Sequence, residues 1–117
     1  MPGLFETFLL LIVGHALADY PLQGDYLAKA KNRFALLAGT PWFHAMAAHA
    51  VIHGGFVGVI TGSATLGILE AIVHAVIDDT KCRGVISFNT DQILHLACKL
   101  AWVGLLASGL LSQFQLP

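Results

Sequence analysis

Four apolar stretches of helical length alternate with short polar segments along this chain. The first runs from Leu4 to Tyr20 and halts at Pro21. The second opens at Thr40-Pro41 and reaches Thr61, the third covers Ala64 to Thr80, and the fourth follows Asn89-Thr90 and reaches Gln113. Thr40 before Pro41 reads as an N-cap with proline at the first helical position, and Asn89-Thr90 as a second cap-like pair. At 1.5 Å per residue each stretch roughly matches a ~30 Å hydrocarbon core, the first and third only just. "LQGDYLAKAKNRFALLAG" (Leu22 to Gly39), between the first two, is polar with helical potential and is predicted to lie at a membrane surface. The pattern predicts an all-α, integral membrane four-helix bundle. It forms a single transmembrane domain over 1–117, with spans at about 4–20, 41–61, 64–80 and 91–113 and a short surface helix between spans 1 and 2.

Polar residues interrupt these stretches in register. Glu70, His74 and Asp78 follow one another at steps of four, which puts them on one helical face. His15 and Asp19 repeat the step at the end of the first span, and Asp91, His95 and Lys99 at the start of the fourth. The second span carries His44, read as interfacial, with His49 and His53 deeper. Because successive spans alternate in direction, Asp19, Asp78 and Asp91 meet at one boundary. His15, His74 and His95 lie a turn deeper, with His49 near their level, and Glu70 and Lys99 lie a turn deeper again. An ionisable group inside a membrane helix costs about 2.5–3.5 kcal/mol on insertion scales, so such residues usually face a bundle interior and carry a function.

Composition sharpens the class. Only 11% of residues are charged, against roughly 25% in ordinary soluble chains, and the mean hydropathy is +0.74. A net charge of -1 argues against a nucleic-acid partner. Lys29, Lys31, Arg33, Lys81 and Arg83 all fall in the two connections on one side, and the opposite side has no lysine or arginine. The positive-inside rule then makes the basic side cytoplasmic, with both termini away from it, in an inner (cytoplasmic) membrane. Ala16-Leu17-Ala18 mimics a signal cleavage site, but Glu6 stands where a basic residue would be expected, so the first stretch is read as a retained span. Cys82 and Cys98 are read as free thiols.

Imidazole and carboxylate on facing helices are the makings of a metal site. The expected ligands are His15, Asp19, His49, His74, Asp78 and His95, for a divalent transition metal, zinc first and iron or manganese as alternatives. Glu70 and Asp91 are the candidate catalytic carboxylates; Glu70 with Lys99 reads equally as a buried structural ion pair. Lys81 and Arg83 suit an anionic lipid head group.

"GHALADYPLQGDYLAKAKN", "HAVIH", "HAVIDDTKCR" and "FNTDQILHL" together resemble the small bacterial and bacteriophage membrane proteins of domain of unknown function 3307, over nearly the whole chain. The resemblance implicates Gln23 and Gln92 beside the acids, histidines and Lys81 already named, and adds them to Lys81 and Arg83 as substrate-binding candidates. His53 takes a place that the family often gives to an aromatic and is left outside the expected ligand set.

Three functions compete. A metal-dependent membrane hydrolase comes first. A proton or metal-ion transporter or channel comes second, although the far halves of the spans offer little polar lining. A phage-encoded membrane interaction protein with a structural metal comes third. Membrane lipid and a second copy of the chain are the expected partners, the latter through glycines such as Gly54 and Gly58 that permit close helix contact. No phosphate-cradling glycine loop or nucleophile elbow points to a soluble cofactor enzyme. Cys82, between Lys81 and Arg83, has the neighbours of a lowered-pKa thiol but reads as an incidental loop cysteine.

Overall fold

The computed structural model describes residues 3–117. The fold is all-α: among the described residues there are six helices and no strand. These are α1 (Leu4–Asp19), α2 (Gly24–Ala30), α3 (Trp42–Thr61), α4 (Ala64–Cys82), α5 (Phe88–Ser108) and α6 (Leu110–Gln113). The short surface helix anticipated between the first two long helices is α2, bent from α1 by 81°.

Local chemistry moves some of the expected boundaries. Helix α5 begins at Phe88, before Asn89-Thr90, because the Ser87 hydroxyl accepts from the Thr90 backbone N–H at 3.1 Å and takes the capping role. Helix α3 begins at Trp42 with Pro41 as its N-cap and no side-chain cap. The hydroxyl of Thr40, the expected cap, bonds instead to that of Tyr26. The fourth stretch is broken near its end, where Gly109 takes a left-handed φ of 74° and separates α5 from α6.

Helices α3 and α4 form a tight antiparallel pair. Gly62 closes α3 in the left-handed conformation, and the Ser63 side chain caps α4 by accepting from Leu66 N–H at 3.2 Å. Further along, the backbones touch: a Cβ on Gly54 would lie 2.5 Å from the carbonyl oxygen of Gly67. Side chains from α1 and α5 close the other sides of the interior.

The interior is polarised along its length. At one end Leu11, Val57, Leu66 and Trp102 form an apolar cluster. Toward the other, the buried faces of α1, α3, α4 and α5 carry imidazoles, carboxylates and lysines. Among the described residues, thirteen polar or charged side chains are buried against nine hydrophobic ones. The outer faces reverse this, with Phe5, Val59, Val76 and Ile93 all more than 60% exposed.

Among the described residues, one helix, Trp42–Thr61, is by itself long and apolar enough to cross a membrane, and α1 with α2 passes only as a bent pair. Helix α1 has 16 residues, about 24 Å at the standard rise. The polar stripes of α4 and α5 lower their mean hydropathy, so two of the four expected spans are not recognisable as spans by length and composition.

Candidate metal centre

Step-of-four spacing brings the predicted groups together. Helix α4 buries Leu66, Gly67, Glu70, His74 and Asp78, and α5 buries Asp91, His95, Lys99 and Trp102. Opposite them, α1 contributes His15 and Asp19, and α3 contributes His49 and His53.

The tightest group takes one ligand atom from each of Asp19, His49, His53 and His74, all within 4.8 Å of one another. His53 Nε2 lies 2.8 Å and His49 Nε2 3.3 Å from Asp19 Oδ1. The His74 ring stacks between His53 and His95, with centroid separations of 3.6 Å and 4.1 Å. The other expected ligands surround this group. His15 Nε2 is 3.3 Å from Asp19 Oδ2, Asp78 Oδ2 is 3.5 Å from His49 Nε2, and His95 Nε2 is 3.2 Å from Asp91 Oδ1.

These residues fit a divalent transition metal. Both ring nitrogens of His49 and of His74 are buried with no hydrogen-bond partner among the described residues. A buried polar group left in that state costs about 1–3 kcal/mol, and coordination removes that cost for one nitrogen of each ring. Three imidazoles and one carboxylate suit zinc or its neighbours. Bonds of about 2.1 Å set tetrahedral ligands roughly 3.4 Å apart, so an ion would draw these four atoms inward.

The remaining candidates frame the centre. Gln92 Nε2 donates to Asp19 Oδ2 at 2.9 Å and to Asp91 Oδ2 at 3.2 Å, while its Oε1 is 2.9 Å from His15 Nε2. Gln23 donates to the Asp19 backbone carbonyl at 3.0 Å. Lys81 Nζ is 3.3 Å from Asp78 Oδ1, and Arg83 stands exposed just past α4. Glu70 pairs with Lys99 and accepts from the Trp102 indole at 3.0 Å. His74 Nδ1 lies 3.9 Å from Glu70 Oε1, linking this pair to the imidazole stack. His44 is exposed. Burial, reinforced by Asp78, pushes the Cys82 thiol up from its ordinary value, the opposite of an activated thiol. Cys82 lies two residues beyond the expected 64–80 span.

Two groups enter that the sequence reading left out. His53 obeys the same step-of-four rule, counted from His49 on α3, but beside Gly54 and Gly55 it reads equally as a donor to a carbonyl of a closely packed neighbour, and the family pattern often has an aromatic there. Lys31 was counted as a loop charge, but it is buried and donates to both Asp78 Oδ2 and Gln23 Oε1. Nothing in its irregular segment signals this. Nearby, Arg33 grips Asp79 through two hydrogen bonds of 2.9 and 3.0 Å.

A family profile described as Protein of unknown function (DUF3307) matches residues 7–115. The chain belongs to that family. No curated protein and no solved structure matches it. The DUF3307 match includes Asp19, His49, His53 and His74, so the His/Asp cluster lies wholly within the matched region.

Proposed function

We propose that this protein is a polytopic membrane protein that holds a divalent transition metal, zinc first, between α1, α3 and α4 and uses it for hydrolysis near the cytoplasmic face. The observation that carries the reading is the convergence of Asp19, His49, His53 and His74 within 4.8 Å, with His49 and His74 otherwise unpartnered. The membrane part is supported by the reversed distribution of polarity, buried imidazoles and carboxylates inside and large apolar side chains outside. Its orientation rests on the basic connections. Lys31 and Lys81 share Asp78 there and Arg33 is matched by Asp79, which leaves Lys29 and Arg83 as basic side chains outside these pairs.

A bound metal of this kind supplies an acidified water and polarises an ester or phosphoryl oxygen. The chain supplies the rest. Asp19, more accessible than the histidines, holds the His53 imidazole in orientation through Oδ1, with His49 Nε2 3.3 Å away. Gln92 fixes its other oxygen. Lys31 and Lys81 flank Asp78 and keep positive charge beside the centre, suited to an anionic lipid head group.

A structural metal is the second reading, favoured by the ligand count: four protein ligands complete a tetrahedron, as in closed structural zinc sites. Elemental analysis and hydrolysis of phosphate and carboxylate esters by detergent-purified protein test both. Bound metal with metal-dependent turnover supports the hydrolase. Bound metal whose removal only unfolds the chain favours the structural role.

A further inference from the structure

We infer that a second divalent cation binds beside the first, on the opposite oxygen of Asp19, in a position formed by His15, Asp19, Asp91 and Gln92. This rests on the metal centre proposed above and extends it to a two-metal site.

Asp19 divides the cluster. Its Oδ1 faces His49 and His53 at 3.3 and 2.8 Å, while its Oδ2 faces His15 Nε2 at 3.3 Å and Gln92 Nε2 at 2.9 Å. A carboxylate with nitrogen donors gathered on both oxygens has the arrangement of a bridging ligand. On the Oδ2 side a second carboxylate stands close. Gln92 Nε2 donates to Asp19 Oδ2 and, at 3.2 Å, to Asp91 Oδ2, so one amide holds two acids together.

Charge points the same way. Of the four buried or nearly buried carboxylates, Glu70 is matched by Lys99, and Asp78 by Lys31 and Lys81. Among the described residues, Asp19 and Asp91 have imidazole and amide neighbours but no lysine or arginine in an ion pair. Two neighbouring anions on one amide, in a buried interior, call for a cation. The amide can supply a ligand itself, because a half-turn of its plane exchanges donor nitrogen for acceptor oxygen. His95, 3.2 Å from Asp91 Oδ1 and stacked on His74, orients the acid from behind. Two adjacent metals are the common apparatus for holding an attacking and a leaving oxygen in hydrolysis.

The test is metal stoichiometry in detergent-purified protein loaded with manganese or zinc and freed of excess. Wild type is expected to hold two equivalents, and Asp91→Asn or His15→Ala one. Manganese-loaded wild type is expected to give an exchange-coupled paramagnetic resonance spectrum, which either variant converts to that of an isolated ion. A single equivalent in wild type, lost in His74→Ala, overturns the second position and leaves the first centre standing. No bound metal in wild type overturns both, and two equivalents in Asp91→Asn overturns the assignment of Asp91. Gln92→Glu guards against a folding defect by adding an anionic oxygen ligand of nearly the same shape. It is expected to tighten the second equivalent by about tenfold or more, since ligand charge sets cation affinity; unchanged or weaker binding of that equivalent overturns the proposal.

Discussion

Lys31, one residue past the end of α2, donates its ammonium to Asp78, which lies near the end of α4. Both side chains are only 2% exposed, so the irregular segment after α2 is pinned to the polar end of the bundle by a buried ion pair.

Breaking that pair from one side should be costly. Lys31→Met leaves Lys81 as the one lysine beside the Asp78 carboxylate, and removal of one partner of a buried pair typically costs about 3–5 kcal/mol. Thermal unfolding in detergent is expected to show a large drop, mostly recovered in Lys31→Met/Asp78→Asn. If the single variant is as stable as wild type, the pair does not hold the segment.

The metal ligands should separate from the other histidines. His53→Ala and His74→Ala each remove a member of the four-atom group and are expected to weaken zinc binding by more than the roughly 10–100-fold loss typical of outer partners. His44→Ala, on an exposed position, should leave affinity unchanged. Competition titrations with a chromophoric chelator read all three. Equal effects at His44 and His74 would contradict the assigned centre.

Much of this was legible beforehand. The stripes on α1, α4 and α5 could be read because a step of four fixes a face and alternating helix direction fixes a level. His53 obeys the same rule, but the glycines that follow it and the aromatic often found at its place in the family favour a structural role, and only the fold puts it against Asp19. Lys31 could not be found, since its segment has no periodicity and its partner is distant in sequence. Trp102 lies three residues after Lys99 on the same face, yet an indole in an apolar run carries no sign that it will donate to Glu70. The cap at Ser87 shows the limit of boundary reading: serine, asparagine and threonine all cap, and only the fold decides which hydroxyl reaches an N–H.

Stability should follow metal supply and acidity. An ion that binds only the folded chain stabilises it by about 2.7 kcal/mol when present at 100 times its Kd. Coordination needs neutral imidazole and ionised carboxylate, so protons compete with the metal and the increment should shrink as pH falls. Melting temperatures with zinc and with chelator, compared at neutral and mildly acidic pH, check this. A zinc-induced shift that grows on acidification would have the wrong sign.

The crossing of α3 and α4 gives a sharp steric prediction. At Gly54 a Cβ would meet the Gly67 carbonyl oxygen at 2.5 Å and the Ala71 Cβ at 3.0 Å, whereas at Gly55 it meets nothing within 4 Å. Gly54→Ala is therefore expected to cost about 1–3 kcal/mol as an overpacking change. Gly55→Ala should be neutral or slightly stabilising, because alanine is the better helix former. Unfolding in detergent distinguishes the two, and equal stability would mean the helices do not touch there.

The stripes on α4 and α5 also bear on how the chain reaches its final state. Helix α3 has the length and apolarity to enter a bilayer unaided, while α4 brings Glu70, His74 and Asp78 with it and α5 brings Asp91, His95 and Lys99. On the proposed membrane reading those segments would carry naked charge if presented singly to lipid. Glu70 meets Lys99 only when α4 and α5 are together, and Asp78 meets Lys31 only when the segment after α2 is in place. On that reading α3 would be the first anchor, with α4 and α5 entering as a pair that seals the ionised groups from the acyl chains.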